Sequence, residues 1–109
     1  GNDCYIGRNC ILDLMGKIQI QDRVTISHNC TLNTHTHAGK SILVDKEILP
    51  ITKGSIVLSN DTYIGSSSTV LENVNIGEFS IIGSMSLVNK NISANSTAVG
   101  VPCKEIYQK

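Results

Sequence analysis

The chain has 109 residues, room for one domain rather than two. Nine basic residues balance nine acidic ones, which leaves no cationic surplus for nucleic acid or for an anionic membrane surface. No apolar run approaches the ~20 residues of a membrane span, and no charged-then-apolar leader opens the chain. Ile, Val and Thr supply 31 residues against three Ala and no Trp, and β-branched side chains favour strands over helices. The four cysteines, Cys4, Cys10, Cys30 and Cys103, contain no Cys-x-x-Cys pair. Buried free thiols in a reducing, cytoplasmic setting are therefore expected rather than a zinc knuckle or a disulfide scaffold.

In chain order the first element is the hexad Ile6-Gly7-Arg8-Asn9-Cys10-Ile11. The frame breaks near 12–19 and resumes at Ile20, Ile26 and Leu32, with Val24, Cys30 and Thr36 four residues after the preceding aliphatic. A second break spans about 38–57. The frame then runs uninterrupted through Leu58, Ile64, Val70, Ile76, Ile82 and Val88. The fourth residue after each is Thr62, Ser68, Val74, Ser80, Ser86 and Ile92, small or β-branched throughout. Gly65, Gly77 and Gly83 directly follow three of the aliphatics, and Gly16–Asp22 matches Gly54–Asn60.

A period of six fits neither an α-helix nor an ordinary sandwich strand. It fits a solenoid in which each hexad is one short strand and one turn. Three hexads close a triangular coil, with the aliphatic residue inside and the small residue beside it. Gly or Asn at the corners supplies φ > 0, and successive coils stack as parallel strands about 4.8 Å apart. Residues 1–109 form one such domain. It begins one residue into a repeat and without Met, which predicts an N-terminally truncated domain. Pro102 is expected to stop the coil, leaving a short polar tail.

This pattern resembles the hexapeptide-repeat acyltransferase superfamily, whose fold is a left-handed parallel β-helix. It is most similar to the galactoside and maltose O-acetyltransferase group and its polysaccharide-modifying relatives. The resemblance rests on Thr34-His35-Thr36-His37 before the loop, Tyr63-Ile64-Gly65-Ser66, Ile82-Gly83-Ser84, Val88–Ile92, and Ala98-Val99-Gly100-Val101-Pro102-Cys103-Lys104. It implies an all-β solenoid with one inserted loop, acetyl-CoA as acyl donor, no metal, and a homotrimer whose sites lie between subunits.

The resemblance also implies roles for single residues. His37 matches the general base. A neutral imidazole can take the proton of a hydroxyl as its oxygen attacks a thioester, help worth about 10²–10⁴ in rate. His35 lies two residues away, on the same face of an extended segment, and is the rival. The Gly65-Ser66 backbone matches the donor to the thioester oxygen, with Ser66 the matched position. Ser84 and Asn89 match contacts to the pantetheine and nucleotide parts, Tyr63 an aromatic beside the pantetheine arm, and Lys90 and Lys104 contacts to the phosphates. Asp13, Asn33 and His35 are the acceptor-side candidates. His28 is expected to be a polar corner residue. The loop carries Ile42, Leu43, Val44, Ile48 and Leu49 among charges, which suits a segment folded over a neighbour or a ligand.

The leading function is direct acetyl transfer from acetyl-CoA to a hydroxyl of a sugar or polysaccharide precursor. One alternative moves an acyl group to an amine, such as an amino sugar. The other is a β-helical module without acyl transfer, structural or metal-binding in the manner of the β-helical carbonic anhydrases.

Overall fold

The computed structural model describes residues 1–109 as a prism of 44 × 27 × 19 Å built from stacked coils. Its first side holds the parallel strands Tyr5–Ile6, Thr25–Ile26, Tyr63–Ile64, Ile81–Ile82 and Ser96–Gly100. The second side holds Ile11–Leu12, Thr31–Leu32, Thr69–Val70 and Leu87–Val88, and the third Ile18–Ile20, Ile56–Leu58 and Val74–Ile76. Register stacks like on like. Ile6, Ile26, Ile64, Ile82 and Ala98 align down the first side, and Leu12, Leu32, Val70 and Val88 down the second.

The period of six is thus cashed in as packing. Ile64, Val70, Ile76 and Ile82 are fully buried, as their inward assignment requires. The small residues beside them are buried with their polar atoms satisfied by carbonyls. Ser86 Oγ donates to Gly83 at 2.7 Å, Ser80 Oγ to Ser93 at 2.8 Å, and the Cys30 thiol to Gly65 at 3.2 Å. All four cysteines are free thiols, two of them buried. The first coil is covered on one side only, so its inward Ile6 stays 45% exposed.

Three local features differ from the sequence reading. The corners are left-handed, but not at glycine: Asn9, Asn29, Ser67, Asn73, Phe79 and Met85 take positive φ, whereas Gly65, Gly77 and Gly83 do not. Those glycines sit where one coil touches the next. A Cβ on Gly77 would lie 2.5 Å from the Ala94 nitrogen. Ile92 does not occupy the small-residue slot. Only four residues after Val88, it bridges Ile76 and joins the inward aliphatic column, because this turn is two residues shorter than the one from Val70 to Ile76. The residues after Pro102 are not a tail: Cys103–Gln108 folds back antiparallel on Ser96–Gly100 and closes that end of the prism.

The second break is an insertion between the second and third sides. It leaves the coil after His37 and makes one helical turn, Ile42–Asp45, whose Ser41 side chain accepts the Leu43 N–H. It returns through Thr52–Lys53, antiparallel to His35–Thr36. Ile42, Ile48 and Ile51 of the insertion are exposed in the single chain. No helix is long and apolar enough to cross a membrane.

Candidate functional site

The first coil carries two extra residues between Leu12 and the third side, and they turn Asp13 toward the start of the insertion. Its Oδ2 accepts the Thr34 N–H at 2.8 Å and the Thr34 hydroxyl at 2.9 Å, and meets His35 Nδ1 at 2.5 Å. Its Oδ1 accepts the Met15 N–H at 3.2 Å. Partial desolvation pushes the Asp13 carboxyl up. The Thr34 N–H, the His35 ring, the Met15 N–H and the Thr34 hydroxyl outweigh it and hold the carboxyl well below the usual carboxylate range. Asn33 Nδ2 donates to the His35 carbonyl at 2.9 Å, and the Gly16 N–H to Thr34 Oγ1 at 2.8 Å. Asp13, Asn33 and His35, three separate acceptor-side candidates, are therefore one network, with Thr34 as its unforeseen centre.

His37 stands apart from it. The side chain is exposed, and its Nδ1 accepts the Gly39 N–H at 2.9 Å. The insertion is fastened behind both histidines by Glu72, whose Oε2 accepts the Thr52 hydroxyl at 2.6 Å and the Thr36 hydroxyl at 3.4 Å. Glu72 carries no sequence signal, since its two partners are brought to it only by the insertion's return strand.

The donor-side candidates lie elsewhere on the prism. Tyr63 is exposed on the first side, and Ser66 follows at the corner leading to the second. Ser84 sits one coil below Ser66, where Met85 N–H donates to the Ser66 carbonyl at 2.8 Å. The backbone N–H groups of Ser66 and Ser84 make no hydrogen bond within the chain, so a column of free donors lines this corner. Asn89 and Lys90 are exposed at the far end of the second side, and Lys104 on the closing hairpin. Lys90 lies near enough to that hairpin to act on its charges. Burial pushes the Cys103 thiol up, with Lys90 opposing, while the Ser93 N–H foremost, and Lys90 in part, hold the Glu105 carboxyl down.

The histidine network ends the second side and the Ser66 corner begins it, so one chain does not bring them together. No cavity of ligand size opens within the single chain. His28 is a corner residue whose Nδ1 accepts the Arg8 N–H at 3.0 Å, edge-on to Tyr5. No three His, Cys, Asp or Glu side chains are grouped as a metal ion would need.

No protein-family model matches the chain. The galactoside O-acetyltransferase of Escherichia coli K12 is 35% identical over 117 aligned residues, which cover 99% of this chain and 55% of that protein. The crystal structure of a maltose O-acetyltransferase from Clostridium difficile 630 superimposes with a TM-score of 0.77 at 26% identity, covering 97% of this chain and 59% of the other. An N-acyltransferase from Bacillus cereus, in complex with a dTDP-linked amino sugar and coenzyme A, gives a TM-score of 0.80 at 22% identity, covering 97% and 60%, a likeness of fold. The chain thus spans between about a third and about half of the length of the curated relatives that it matches along its whole length. Its fold is the left-handed parallel β-helix, and the chain belongs to the hexapeptide-repeat acyltransferase superfamily.

Proposed function

We propose that this chain carries the β-helical part of an acetyl-CoA-dependent O-acetyltransferase acting on a hydroxyl of a sugar or a polysaccharide precursor. The observation that carries this reading is the 35% identity, over 99% of the chain, to an enzyme that acetylates galactosides on oxygen. N-acyltransferases are less similar in sequence, at 26% identity or below, although one of them superimposes with a TM-score of 0.80. Acetyl-CoA, when bound, supplies the acetyl group as a thioester. The residues present suit it: free N–H groups at Ser66 and Ser84, the exposed Tyr63 ring, and Lys90 and Lys104 for phosphate.

A histidine of the Thr34–His37 segment takes the acceptor hydroxyl's proton as its oxygen bonds to the acetyl carbon. The Ser66 N–H donates to the thioester oxygen as charge gathers there. As the carbon–sulfur bond breaks, the imidazolium returns the proton to the sulfur. The products are an acetyl ester and the free thiol, and the histidine is unchanged. Because one chain keeps the histidines and the Ser66 corner apart, the working site is formed between subunits of a homotrimer. The exposed aliphatics of the insertion, Ile42, Ile48 and Ile51, cover that seam. Thiol release from acetyl-CoA, measured with a panel of hydroxyl and amino acceptors, tests the reading. Release with saccharides alone supports it, release with amines alone moves it to nitrogen, and release with neither overturns it.

A further inference from the structure

Two histidines of opposite tautomer stand at the head of the insertion, and this difference bears on which of them can act as a base. The Asp13 carboxyl receives donors from Thr34 and Met15 and is held ionised, so toward His35 it can only accept. His35 Nδ1 therefore carries the proton, and in the neutral ring the lone pair is on Nε2. That nitrogen makes no hydrogen bond within the chain, and 34% of the side-chain surface is exposed. His37 is arranged the other way. Its Nδ1 accepts the Gly39 N–H, so its neutral ring carries the proton on Nε2 and its lone pair is already engaged. His37 would have to give up the Gly39 N–H before it could accept a proton.

We propose that Asp13 is a positioning residue, which locks His35 with its Nε2 lone pair outward, and that His35 rather than His37 takes the acceptor's proton. The proposal rests on the acyl-transfer reading above for its chemistry, though not for its geometry. The ring is held from several sides. Asp13 fixes Nδ1, Asn33 holds the His35 carbonyl, and the pairing of His35 with Lys53 aligns the strand. When His35 accepts a proton, the imidazolium that forms faces an ionised carboxylate and is stabilised by it. No such partner faces His37.

Asp13→Ala is the informative variant. One atom, Asp13 Oδ2, accepts from Thr34 and faces His35 Nδ1, so Asp13→Asn can keep an oxygen there and leave the tautomer unchanged, whereas Asp13→Ala removes the acceptor. Nothing then holds the proton on Nδ1, and a neutral imidazole without that partner favours Nε2–H. Nitrogen NMR of the full chain labelled in its histidines reads this directly. His35 is expected as the Nδ1–H tautomer in the wild type and predominantly as the Nε2–H tautomer in Asp13→Ala. An Nε2–H tautomer in the wild type, or no change in Asp13→Ala, overturns the positioning role whatever the activity. In the thiol-release assay, Asp13→Ala is expected to lose at least about tenfold in kcat with KM for acetyl-CoA little changed, and His35→Ala to fall at least about tenfold further than His37→Ala. The reverse order of the two alanine variants overturns the assignment of the base. If the tautomers are as expected and the wild type transfers no acetyl group to any acceptor, the acyl-transfer reading and the assignment of His35 as base fall, while Asp13 keeps its role in positioning the ring.

Discussion

Gly65 lies so close to Ser84 that a Cβ on it would sit 2.5 Å from the Ser84 nitrogen and 2.8 Å from the Gly83 carbonyl carbon. Both atoms belong to the backbone of the adjacent coil and cannot swing aside. Gly65→Ala should therefore cost about 1–3 kcal/mol, the usual range for overpacking a rigid site. Two corners away, Phe79 holds a φ of 59° and the residue is 54% exposed. Asn tolerates that left-handed conformation better, so Phe79→Asn should stabilise the chain by up to about 1 kcal/mol. Denaturant melts of both variants check this. Stabilisation by Gly65→Ala would show that the coils are not in contact there.

The inward column makes a second prediction. Ile76 is fully buried between Leu58 and Ile92. Ile76→Ala should cost about 2–5 kcal/mol, as other large-to-small core changes do. Ile76→Asp should prevent folding, since a lone carboxylate inside the prism has neither water nor partner. An Asp variant with the wild-type melting temperature would place the side chain outside.

Asp13 gives stability a pH dependence whose sign can be worked out. Its folded carboxyl is held below the usual range, so the unfolded chain binds this proton first as pH falls. The stabilisation is complete well above the unfolded value near 4 and is lost progressively below it. Asp13→Asn lacks this component. The gap in melting temperature between wild type and Asp13→Asn should therefore narrow from pH 6 to pH 3. Parallel curves would mean that the carboxyl is not held low.

Light scattering of the purified chain at micromolar concentration should return three times the 11.7 kDa chain mass. A monomer that transfers acetyl groups would contradict the intersubunit site.

Much of the fold was legible because it is periodic. The inward positions of Ile64, Val70, Ile76 and Ile82 follow from spacing alone, and the match of Gly16–Asp22 with Gly54–Asn60 is the pairing of Ile18 with Ile56 and Ile20 with Leu58. The glycines were misread because a residue can be small for two reasons, free rotation or close approach, and a sequence does not distinguish them. Ile92 was misplaced because one turn drops two residues without any local mark. The closing hairpin was hidden by Pro102, which ends a parallel coil but permits a reversal. At the candidate site, Asp13 stood out as a polar residue of the early coil, and His35 as the rival to His37 in the Thr34–His37 motif. Their contact did not, since 22 residues separate them and their meeting depends on how the extra residues of the first coil turn.

The central claim is transfer of an acetyl group to oxygen, and mass spectrometry of the acceptor tests it most directly. The purified chain, given acetyl-CoA and a mixture of saccharides, should yield a mono-acetylated sugar whose new group is released by mild base, as an ester is. A base-stable amide on an amino sugar, or no acetylated product alongside intact acetyl-CoA, would contradict it.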